Sequence, residues 1–458
     1  MYDVIVIGAG PAGLSAAVTA DALGLRVLLL DEQPAPGGQI YRDVARTCER
    51  RSADAVLLGR DYVRGLRLID RLRTSGVTYL PRTQVWHMDA AKLTAYYCTD
   101  GRGHVAHGRA VILAHGAMER PLPLPGWTLP GVMGAGAAQT LLKSTGVVPS
   151  GPIVLAGNGP LLLLVAAQLH KAGAQIAMIA QTTRWQDYLR ASTRLASALR
   201  VPTYLSKGTR MKLDIACSSV ASRHGLVSLK AAGSGRLEQV TLAFRRQTLR
   251  LSANVLLLHE GVIPNTQITR LLGIEHEYDS SLQCFRPRVD AFGESSRIGF
   301  FIAGDAAGIL GARAAELAGK LTAWAIAARL DKVSDRQRAR ATRPLLKRLA
   351  AERAARSFIE ALFPPSRLSA TPEAATLVCR CHEVSAQQIA RAAQDGCCSS
   401  DEVKASIRCG MGPCQGRMCA GVAAALIAER RSAAPADTPM QRVRPPLQPL
   451  TLGELASL

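Results

Sequence analysis

The stretch YDVIVIGAGPAG, residues 2–13, decides the fold of this chain. Its apolar run at 2–7 predicts a buried strand, its glycines predict a tight turn, and residues 14–23 predict a helix that leads to a second strand at 26–30. Glycine permits such a turn and lets the backbone approach a pyrophosphate, and the N-terminus of the helix attracts the phosphate charge. The stretch therefore predicts a βαβ unit that binds a dinucleotide.

Two groups of residues in this unit are candidates for nucleotide contacts. Asp31 ends the second strand, where its carboxylate can accept hydrogen bonds from ribose hydroxyls, and Glu32 is the second choice for that role. The turn and the start of the helix supply the others, which are Gly8, Gly10, Pro11, Ala12 and Gly13.

A similar unit recurs at 152–180 and predicts a second dinucleotide-type domain. Leu162 stands where the fingerprint has its third glycine or alanine, and the next strand ends without an acid for a ribose, leaving Arg184 as the conceivable partner of a 2′-phosphate. We expect a structural platform or a site for another adenine nucleotide here, rather than an NAD(P)H site. The candidate residues of this second turn are Gly157, Asn158, Gly159, Pro160 and Leu161.

These units predict an α/β chain with two Rossmann-like domains and a small cysteine-rich domain. The predicted intervals are 1–125 with 262–330 for the first domain, 126–261 for the second, 331–370 for a basic helical linker, 371–430 for the cysteine-rich domain and 431–458 for a Pro-rich tail. We expect His259-Glu260-Gly261, where the second domain returns to the first, to have a structural role.

Composition and charge narrow the classes of partner. The 458 residues include 56 basic and 35 acidic ones, a net charge of +21, but no nucleic-acid motif accompanies the arginines. We expect no nucleic-acid partner and at most peripheral membrane contact. Neither a signal peptide nor an uninterrupted apolar run of about 18 residues is present, so we expect a cytoplasmic protein.

Seven of the 11 cysteines fall within residues 379–419, which favours metal ligation over disulfides in a reducing compartment. Two pairs stand out as metal ligands: Cys379 with Cys381, and Cys409 with Cys414. Four thiolates hold either zinc or a [2Fe-2S] cluster, and the spacing alone leaves this choice open. We expect Cys419 to be a bystander and Cys397-Cys398 to be packing residues.

Three further stretches, 36–39, 112–120 and 301–305, resemble in order and spacing the motifs of two-domain flavoproteins of the glutathione reductase type. The resemblance implies FAD at the first turn, with Asp305 near the ribityl and pyrophosphate groups. The further FAD contacts that it implies are Gly38, Gln39, Arg42, Val85, Ala114, Gly116, Gly304, Gly311 and Ala312. His115 stands where relatives carry a small hydroxyl residue, and we expect its ring to be packed, with its hydrogen bonds satisfied, rather than catalytic. No thiol pair lies near the Gly37-Gly38 loop, which disfavours disulfide reduction.

The cysteine-rich segment resembles the small helical [2Fe-2S] domain of the bacterioferritin-associated ferredoxin type, from 378–384 to 409–417. With residues 31–42 and 122–133, it makes the chain similar to the α-type subunits of heteromeric flavin dehydrogenases, the family of hydrogen cyanide synthase, opine oxidases and D-hydroxyproline dehydrogenase. We expect Lys404, Arg408 and Arg417 to favour the cluster's negative charge.

This resemblance implies an electron-transfer subunit with FAD and [2Fe-2S]. A partner β subunit of the amino-acid oxidase type, with its own FAD, would oxidise an amino acid, imino acid or opine at its C–N bond, and electrons would leave to a quinone or dye acceptor. Further components that the family allows are FMN where subunits meet and a small third subunit. The alternative function is a self-sufficient NAD(P)H-dependent ferredoxin-type reductase, and a third is a scaffold with a zinc domain.

Overall fold

The structure is a computed structural model that describes residues 1–366, 368 and 372–458. The strands are β1 (Tyr2–Ile7), β2 (Val27–Leu30), β3 (Thr78–Leu80), β4 (Gln84–Asp89), β5 (Thr94–Thr99), β6 (Arg102–Leu113), β7 (Ala117–Glu119), β8 (Val132–Gly134), β9 (Ile153–Asn158), β10 (Ile176–Gln181), β11 (Ser222–His224), β12 (Leu226–Ala232), β13 (Gln239–Phe244), β14 (Gln247–Ser252), β15 (Val255–Glu260), β16 (Val262–Pro264), β17 (His276–Asp279), β18 (Cys284–Pro287), β19 (Phe300–Ile302), β20 (Leu377–Cys379) and β21 (Val384–Ser385).

The helices are α1 (Pro11–Ala22), α2 (Val44–Arg50), α3 (Ser52–Leu58), α4 (Arg60–Val63), α5 (Leu66–Arg73), α6 (Ala135–Thr145), α7 (Pro160–Lys171), α8 (Trp185–Ser192), α9 (Leu195–Ala198), α10 (Pro202–Ala216), α11 (Gln267–Leu271), α12 (Ala312–Arg329), α13 (Asp335–Leu362), α14 (Ala386–Gln394), α15 (Ser400–Ile407), α16 (Ala420–Arg430) and α17 (Leu452–Ala456). In the ranges that the structure describes, none of them is both long enough and apolar enough to cross a bilayer.

The first sheet has the strand order β3-β2-β1-β6-β5-β4, and β19 also pairs with β6. Its parallel register aligns Ile7 with Leu30 and with Leu113, and aligns Ile302 with Leu113. The carboxyl ends of β1, β2, β6 and β19 therefore share one edge, the position at which α/β sheets bind their ligands.

Helices α1 and α12 cover one face of this sheet in close contact. A Cβ on Gly319 would lie 2.1 Å from the carbonyl oxygen of Ala12, so the two helix backbones touch. The N-terminal ends of both helices are thereby fixed beside the carboxyl edge of the sheet.

The second sheet is parallel, with the order β11-β10-β9-β15-β8. Its β9 and β15 are buried along their whole length, as expected for central strands covered on both faces. The antiparallel sheet β12-β13-β14 shares a buried cluster with it, in which Leu229 and Val240 join Val154 and Leu256.

The C-terminal part begins with the long helix α13, whose N-terminus is closed by a capping box between Ser334 and Gln337. Helices α14–α16 and the β20-β21 pair form a small domain with its own core. The following tail returns to the first sheet, where Val443 and Leu447 join the buried cluster of that sheet. The first sheet is parallel apart from its antiparallel strands β5 and β4, and the second is parallel throughout. These two domains and the small helical domain confirm the predicted fold class, while the predicted interval boundaries stay predictions.

Candidate cofactor sites

The first glycine turn joins β1 to α1 in a geometry that suits a phosphate. Gly8 has a φ of 101°. A Cβ on Gly13 would lie 1.8 Å from the Gly8 carbonyl oxygen, so no larger residue fits there. Gly10 is the N-cap and Pro11 follows it, and no side chain among the described residues caps this end of α1. The first N–H groups of α1 are thus left for an anionic ligand.

Other predicted FAD contacts pack directly against this turn. These contacts are so close that only glycine fits. A Cβ added to Gly8 would overlap Ala114, one added to Gly38 would overlap Gly10, and one added to Gly304 would overlap Ala12. The chain therefore brings four separate segments together around one turn. A cradle built of glycines at these points leaves room for a dinucleotide backbone, so the residues fit FAD.

Asp31 stabilises the turn from within the protein. Its carboxylate is buried, its Oδ2 accepts a hydrogen bond from the N–H of Ala9, and its Oδ1 accepts one from the N–H of Gln33 at 2.7 Å. Burial raises the pKa of Asp31, and these backbone donors oppose the rise. Glu32 is exposed, and its carboxylate accepts hydrogen bonds from the side-chain amides of Gln33 at 3.1 Å and Gln448 at 3.2 Å. The Asp31 carboxylate is thus used by the turn, whereas the Glu32 carboxylate is exposed, and which of the two contacts a ribose stays a prediction.

Arg42 and Val85 lie near Asp31. The Arg42 guanidinium is buried and Nη1 donates to the Gln33 side chain. Thr83 donates its N–H to the carbonyl oxygen of Asp31 at 2.8 Å, which places Val85, at the start of β4, close to the end of β2.

His115 departs from the expectation drawn from the sequence, because only half of its ring is satisfied. Its Nε2 lies 2.6 Å from the carbonyl oxygen of Asn265, and Asn265 in turn donates its N–H to the carbonyl oxygen of Gly116. A carbonyl only accepts, so Nε2 carries the proton and Nδ1 presents a lone pair. Nδ1 is buried and has no partner among the described residues. Burial lowers the pKa of His115 to about 4, so the ring is neutral at physiological pH.

Asp305 fixes the start of α12 on the opposite side of the site. Its Oδ1 accepts hydrogen bonds from the N–H groups of Leu310 and Gly311, both at 2.9 Å. Gly311 is the N-cap of α12 with a φ of 92°, and Ala312 is the first helical residue. Both bonds go to Oδ1, so this turn does not use Oδ2. The N-terminus of a helix of this length favours negative charge on a neighbouring ligand.

Lys143 is a buried amine beside the Gln39 loop that sequence reasoning missed. Its Nζ donates to the carbonyl oxygen of Gln39 and to Oε1 of Gln139, both at 3.0 Å. Burial, with the Arg42 charge nearby, lowers its pKa to about 7. The only sequence signal was a single lysine in the apolar helix at 135–145.

The second glycine turn has the backbone of a nucleotide turn but different surroundings. Gly157 and Gly159 have φ values of 127° and 109°. A Cβ on Gly159 would lie 3.3 Å from the His259 ring, and His259 Nδ1 lies 2.7 Å from Oε1 of Glu119. Pro160 opens α7, followed by Leu161 and the fully buried Leu162.

The segment that follows α13 crosses this turn. Asn158 donates its side-chain N–H to the carbonyl oxygen of Pro364 at 2.7 Å. Glu260 accepts at Oε2 from the N–H of Ser366 at 2.9 Å and at Oε1 from the hydroxyl of Thr182 at 3.0 Å. Glu260 is buried and burial raises its pKa. The polar side chains of Asn158 and Glu260 are thus engaged by the chain itself, and Glu260 has the structural contacts expected of it.

Arg184 also has an internal role. It is the N-cap of α8, where its N–H donates to Oδ2 of Asp187 at 2.8 Å. Its guanidinium is largely exposed, and the guanidinium Nε lies 3.9 Å from the same Oδ2.

Five cysteines gather in the C-terminal domain; we name Cys379, Cys381, Cys409, Cys414 and Cys419 the thiol group. The sulfur atoms of Cys379, Cys409 and Cys419 are buried and lie within 4.8 Å of one another. The sulfur of Cys381 lies 3.7 Å from that of Cys414. The sulfur of Cys419, which we expected to be a bystander, belongs to this buried trio, so Cys419 is a further candidate ligand. Which four thiols are ligands stays a prediction.

The thiols of this group shift one another's pKa values. Hydrogen bonds from Cys409 and Cys419 hold the pKa of Cys379 well below its usual range, and the Cys379 thiolate raises the pKa of Cys409 to about 12. Burial raises the pKa of Cys381, and the charges of Cys414 and Cys379 add to this rise. A thiolate held by S–H donors is the form that ligates metal, and this sulfur-only set fits zinc or [2Fe-2S]. Outside it, Cys397 packs in the domain core and Cys398 is exposed.

Two basic residues near the thiol group donate hydrogen bonds to the C-terminal tail. Lys404 Nζ donates to the carbonyl oxygen of Arg442 at 3.1 Å, and Arg417 Nη2 donates to that of Leu447 at 2.9 Å. Arg408 has a left-handed backbone that ends α15 directly before Cys409.

Trp127 attaches the cysteine domain to the second sheet domain. Its indole N–H donates to the carbonyl oxygen of Leu377 at 2.7 Å. The guanidinium of Arg380, which lies between Cys379 and Cys381 in sequence, stacks 5.3 Å from the centre of the Trp127 ring. The thiol group is therefore held at a fixed place on the flavoprotein-type fold.

Comparison with known proteins assigns both parts of the chain. Residues 2–329 match the family described as pyridine nucleotide-disulphide oxidoreductase, which indicates FAD as the cofactor of the first turn. Residues 373–457 match the sarcosine oxidase A3 domain.

Full-length relatives agree with these matches. An opine oxidase subunit of Rhizobium meliloti is 40% identical over 465 residues, which span 100% of this chain and 88% of the relative. Hydrogen cyanide synthase subunit HcnB of Pseudomonas aeruginosa is 31% identical over 99% of this chain and 98% of its own. The crystal structure of L-proline dehydrogenase from P. horikoshii superposes with a TM-score of 0.73 at 17% identity, over 99% of this chain and 79% of that one, which shows a shared fold. The resemblance found in the motifs is confirmed.

Proposed function

Because this chain belongs to the pyridine nucleotide-disulphide oxidoreductase family, we propose that it is the FAD- and [2Fe-2S]-containing electron-transfer subunit of a heteromeric dehydrogenase. The complex oxidises an amino acid, imino acid or opine at its C–N bond. The observation that carries this proposal is the thiol group, which is docked through Trp127 onto a fold whose first glycine turn fits FAD.

FAD accepts two electrons and can release them singly, and an iron-sulfur cluster carries one electron at a time. The residues of this chain hold these groups. The α1 N-terminus would bind the pyrophosphate, Glu32 would bind the ribose, and Asp305 would contact the ribityl part. The N-terminus of α12 stabilises negative charge on the ring system, and four thiols of the thiol group hold the metal cluster.

Substrate oxidation belongs to a second chain. The full-length relatives are named as subunits of opine oxidase and of hydrogen cyanide synthase, which supports a heteromeric assembly here. The partner is a β subunit of the amino-acid oxidase type with its own FAD, accompanied by FMN where subunits meet and by a small third subunit. Electrons leave this chain for a quinone or dye-type acceptor.

The surroundings of the second glycine turn speak against the alternative of a self-sufficient NAD(P)H-dependent reductase. A pyrophosphate at this turn would have to displace the contact of Asn158 with Pro364 and would meet the buried carboxyl of Glu260. The same contacts oppose an adenine nucleotide at Gly157–Leu161, so we assign this turn a structural role.

The test compares the isolated chain with the complex. The chain is purified from its source organism together with its partner, and amino acids, imino acids and opines are screened with an artificial dye as acceptor. We expect turnover from the complex, none from the isolated chain, and no bleaching of the flavin band by NADH or NADPH. Full turnover by the isolated chain, or rapid bleaching by either nicotinamide, would contradict the proposal.

A further inference from the structure

Helices α8, α9 and α10 of the second domain, with the residues that join them, expose large apolar side chains. Trp185 is 66% exposed, Leu189 is 57% exposed and Leu199 is 61% exposed. Contiguous apolar groups of this size on a protein surface mark interaction sites. We name the exposed and half-buried side chains of this region the basic apolar face; its apolar members are Trp185, Tyr188, Leu189, Leu195, Leu199 and Leu213, and its basic members are Arg184, Arg190, Arg194, Arg200, Arg210 and Lys212.

The apolar members lie on three helices that are joined through shared contacts. Trp185, Tyr188 and Leu189 have the spacing i, i+3, i+4, which places them on one side of α8. Both α8 and α9 pack on α13. The Lys212 ammonium of α10 lies 4.5 Å from the centre of the Tyr188 ring, which brings α10 against α8. The three helices are therefore neighbours on one side of the second domain.

The charge of this surface is almost entirely positive. Residues 184–216 contain seven basic and two acidic residues. Of the two acids, Asp187 is buried at the start of α8, and Asp214 is paired with Lys171 at 2.7 Å. Within the part of the chain that the structure describes, Arg194, Arg200 and Arg210 form no ion pair. The face therefore calls for an anionic partner.

The arrangement of charge among the apolar groups decides which kind of partner fits. Several of the large apolar side chains have a basic neighbour in sequence, as in Arg184-Trp185, Leu189-Arg190 and Leu199-Arg200. The centre of a protein interface is depleted of charge, whereas basic residues are interspersed with the apolar ones along these helices. Helices that lie on membranes combine Trp and Leu with arginines that reach the phosphates.

We propose that the basic apolar face binds the surface of an anionic lipid bilayer. The indole of Trp185 and the leucine side chains enter the boundary between headgroups and acyl chains, while the arginines bind lipid phosphates. The enzyme is thereby held at a membrane through the second sheet domain.

The experiment measures flotation of the full-length, FAD-loaded chain with vesicles. Vesicles of phosphatidylglycerol with phosphatidylcholine are compared with vesicles of phosphatidylcholine alone, at low and high salt. We expect binding to the anionic vesicles only, weaker at high salt because screening shortens the range of the charges to a few Å. The fluorescence of Trp185 should shift to shorter wavelength on binding, and this shift should be missing in Trp185→Phe.

Two sets of variants separate this face from general charge and hydrophobicity. Trp185→Ser with Leu189→Ser and Leu199→Ser should abolish binding, while Val56→Ser with Ile298→Ser, which are exposed elsewhere, should leave it unchanged. Arg190→Gln with Arg194→Gln and Arg200→Gln should weaken binding by roughly a hundredfold. The matched control is Arg236→Gln with Arg245→Gln and Arg246→Gln, which are exposed on or beside the β12-β13-β14 sheet and should leave binding within about twofold of the original.

Three results would overturn the proposal. They are no binding to the anionic vesicles, equal loss of binding in the control variants, and a face variant that keeps vesicle binding but no longer co-purifies with the partner subunit. The last result would assign the face to a protein. Flavin content and the melting temperature of each variant show that the fold is intact, and both are independent of dehydrogenase activity.

Discussion

At the scale of single residues, His115 gives the most direct sign of a bound cofactor. Its protonated Nε2 is committed to the Asn265 carbonyl, so the buried Nδ1 can only accept a hydrogen bond. A buried acceptor without a partner is costly, which makes a ligand donor the natural complement.

The variant His115→Gln tests this at one atom. The glutamine amide can still donate to the Asn265 carbonyl, but the acceptor at the Nδ1 position is lost. We expect FAD to bind about fivefold more weakly, the effect of roughly one hydrogen bond. The measurement is the dissociation constant of FAD from the apoprotein by flavin fluorescence. His115→Asn, which keeps an acceptor near Nδ1, is the control, and equal affinity of both variants would contradict the assignment.

A second buried histidine, His276, makes the fold sensitive to acid. Burial lowers its pKa to about 4, and its Nε2 lies 2.9 Å from the hydroxyl of Thr269. The unfolded chain binds a proton at this residue near pH 6.5, whereas the folded chain resists protonation down to about pH 4. The stabilising contribution is therefore complete above pH 6.5 and is lost progressively as the pH falls towards 4.

We expect the free energy of unfolding to drop by about 2 kcal/mol through His276 alone between pH 6.5 and 5. Urea unfolding at both pH values measures it. His276→Gln should show a smaller drop than the unmodified protein, because the group that titrates is gone. The control is His170→Gln at an exposed position, which should keep the full drop. The same pH dependence in His276→Gln as in the unmodified chain would refute this account.

At the scale of elements, the loop from Cys409 to Cys419 supplies three thiols. A cluster with four thiol ligands that includes Cys379 and Cys381 needs only two of these three. Cys409 and Cys419 both lie beside Cys379, while Cys414 contacts Cys381. One of the two buried thiols is therefore surplus.

Single replacements of the cysteines by serine identify the surplus thiol. We expect Cys379→Ser, Cys381→Ser and Cys414→Ser to lose iron and the visible absorption of the cluster. Of Cys409→Ser and Cys419→Ser, we expect one variant to lose iron and this absorption and the other to keep them. Cys397→Ser and Cys398→Ser serve as controls that keep the cluster. Iron analysis and absorption spectra of anaerobically purified variants measure this, and retention of iron in all five thiol-group variants would disprove cluster ligation by this group.

The tail is the element that shapes this loop. Gln441 is buried, and its side-chain N–H donates to the Gly410 carbonyl at 3.2 Å. A Cβ on either Gly410 or Gly416 would overlap the Gln441 amide, so this side chain fills the notch between the two glycines.

Gln441→Ala should lower stability by about 1 to 3 kcal/mol, because it leaves the buried Gly410 carbonyl without its donor. Urea unfolding measures the change, and the rate of iron loss should rise with it. Arg444→Ala, three residues on and exposed, is the matched control. Equal stability of the two variants would show that the tail does not shape the loop.

At the scale of the whole molecule, local sequence predicted what local chemistry controls. Gly8 and Gly13 signalled the first turn because only glycine tolerates its contacts, and the apolar runs of β1 and β9 signalled the two sheets. Contacts between residues that are far apart in the sequence could not be predicted in this way. Asn158 meets Pro364 across 206 residues, and no local pattern announces it.

The candidate sites show the same division. The pairs Cys379-Cys381 and Cys409-Cys414 were visible as spacing, but the place of Cys419 depends on how the chain folds back onto β20 ahead of α16. The return of Leu447 to the first sheet and the unpartnered Nδ1 of His115 likewise follow from packing of distant segments, not from their neighbours in sequence.

The central claim is that one chain holds both FAD and an iron-sulfur cluster, and cofactor analysis of the anaerobically purified full-length chain tests it most directly. FAD, iron, acid-labile sulfide and zinc are measured on the same sample. The account predicts iron and sulfide in equal amounts, each at twice the amount of FAD, with no stoichiometric zinc. Zinc in place of iron and sulfide, or a chain that carries iron and sulfide but no FAD, would contradict it.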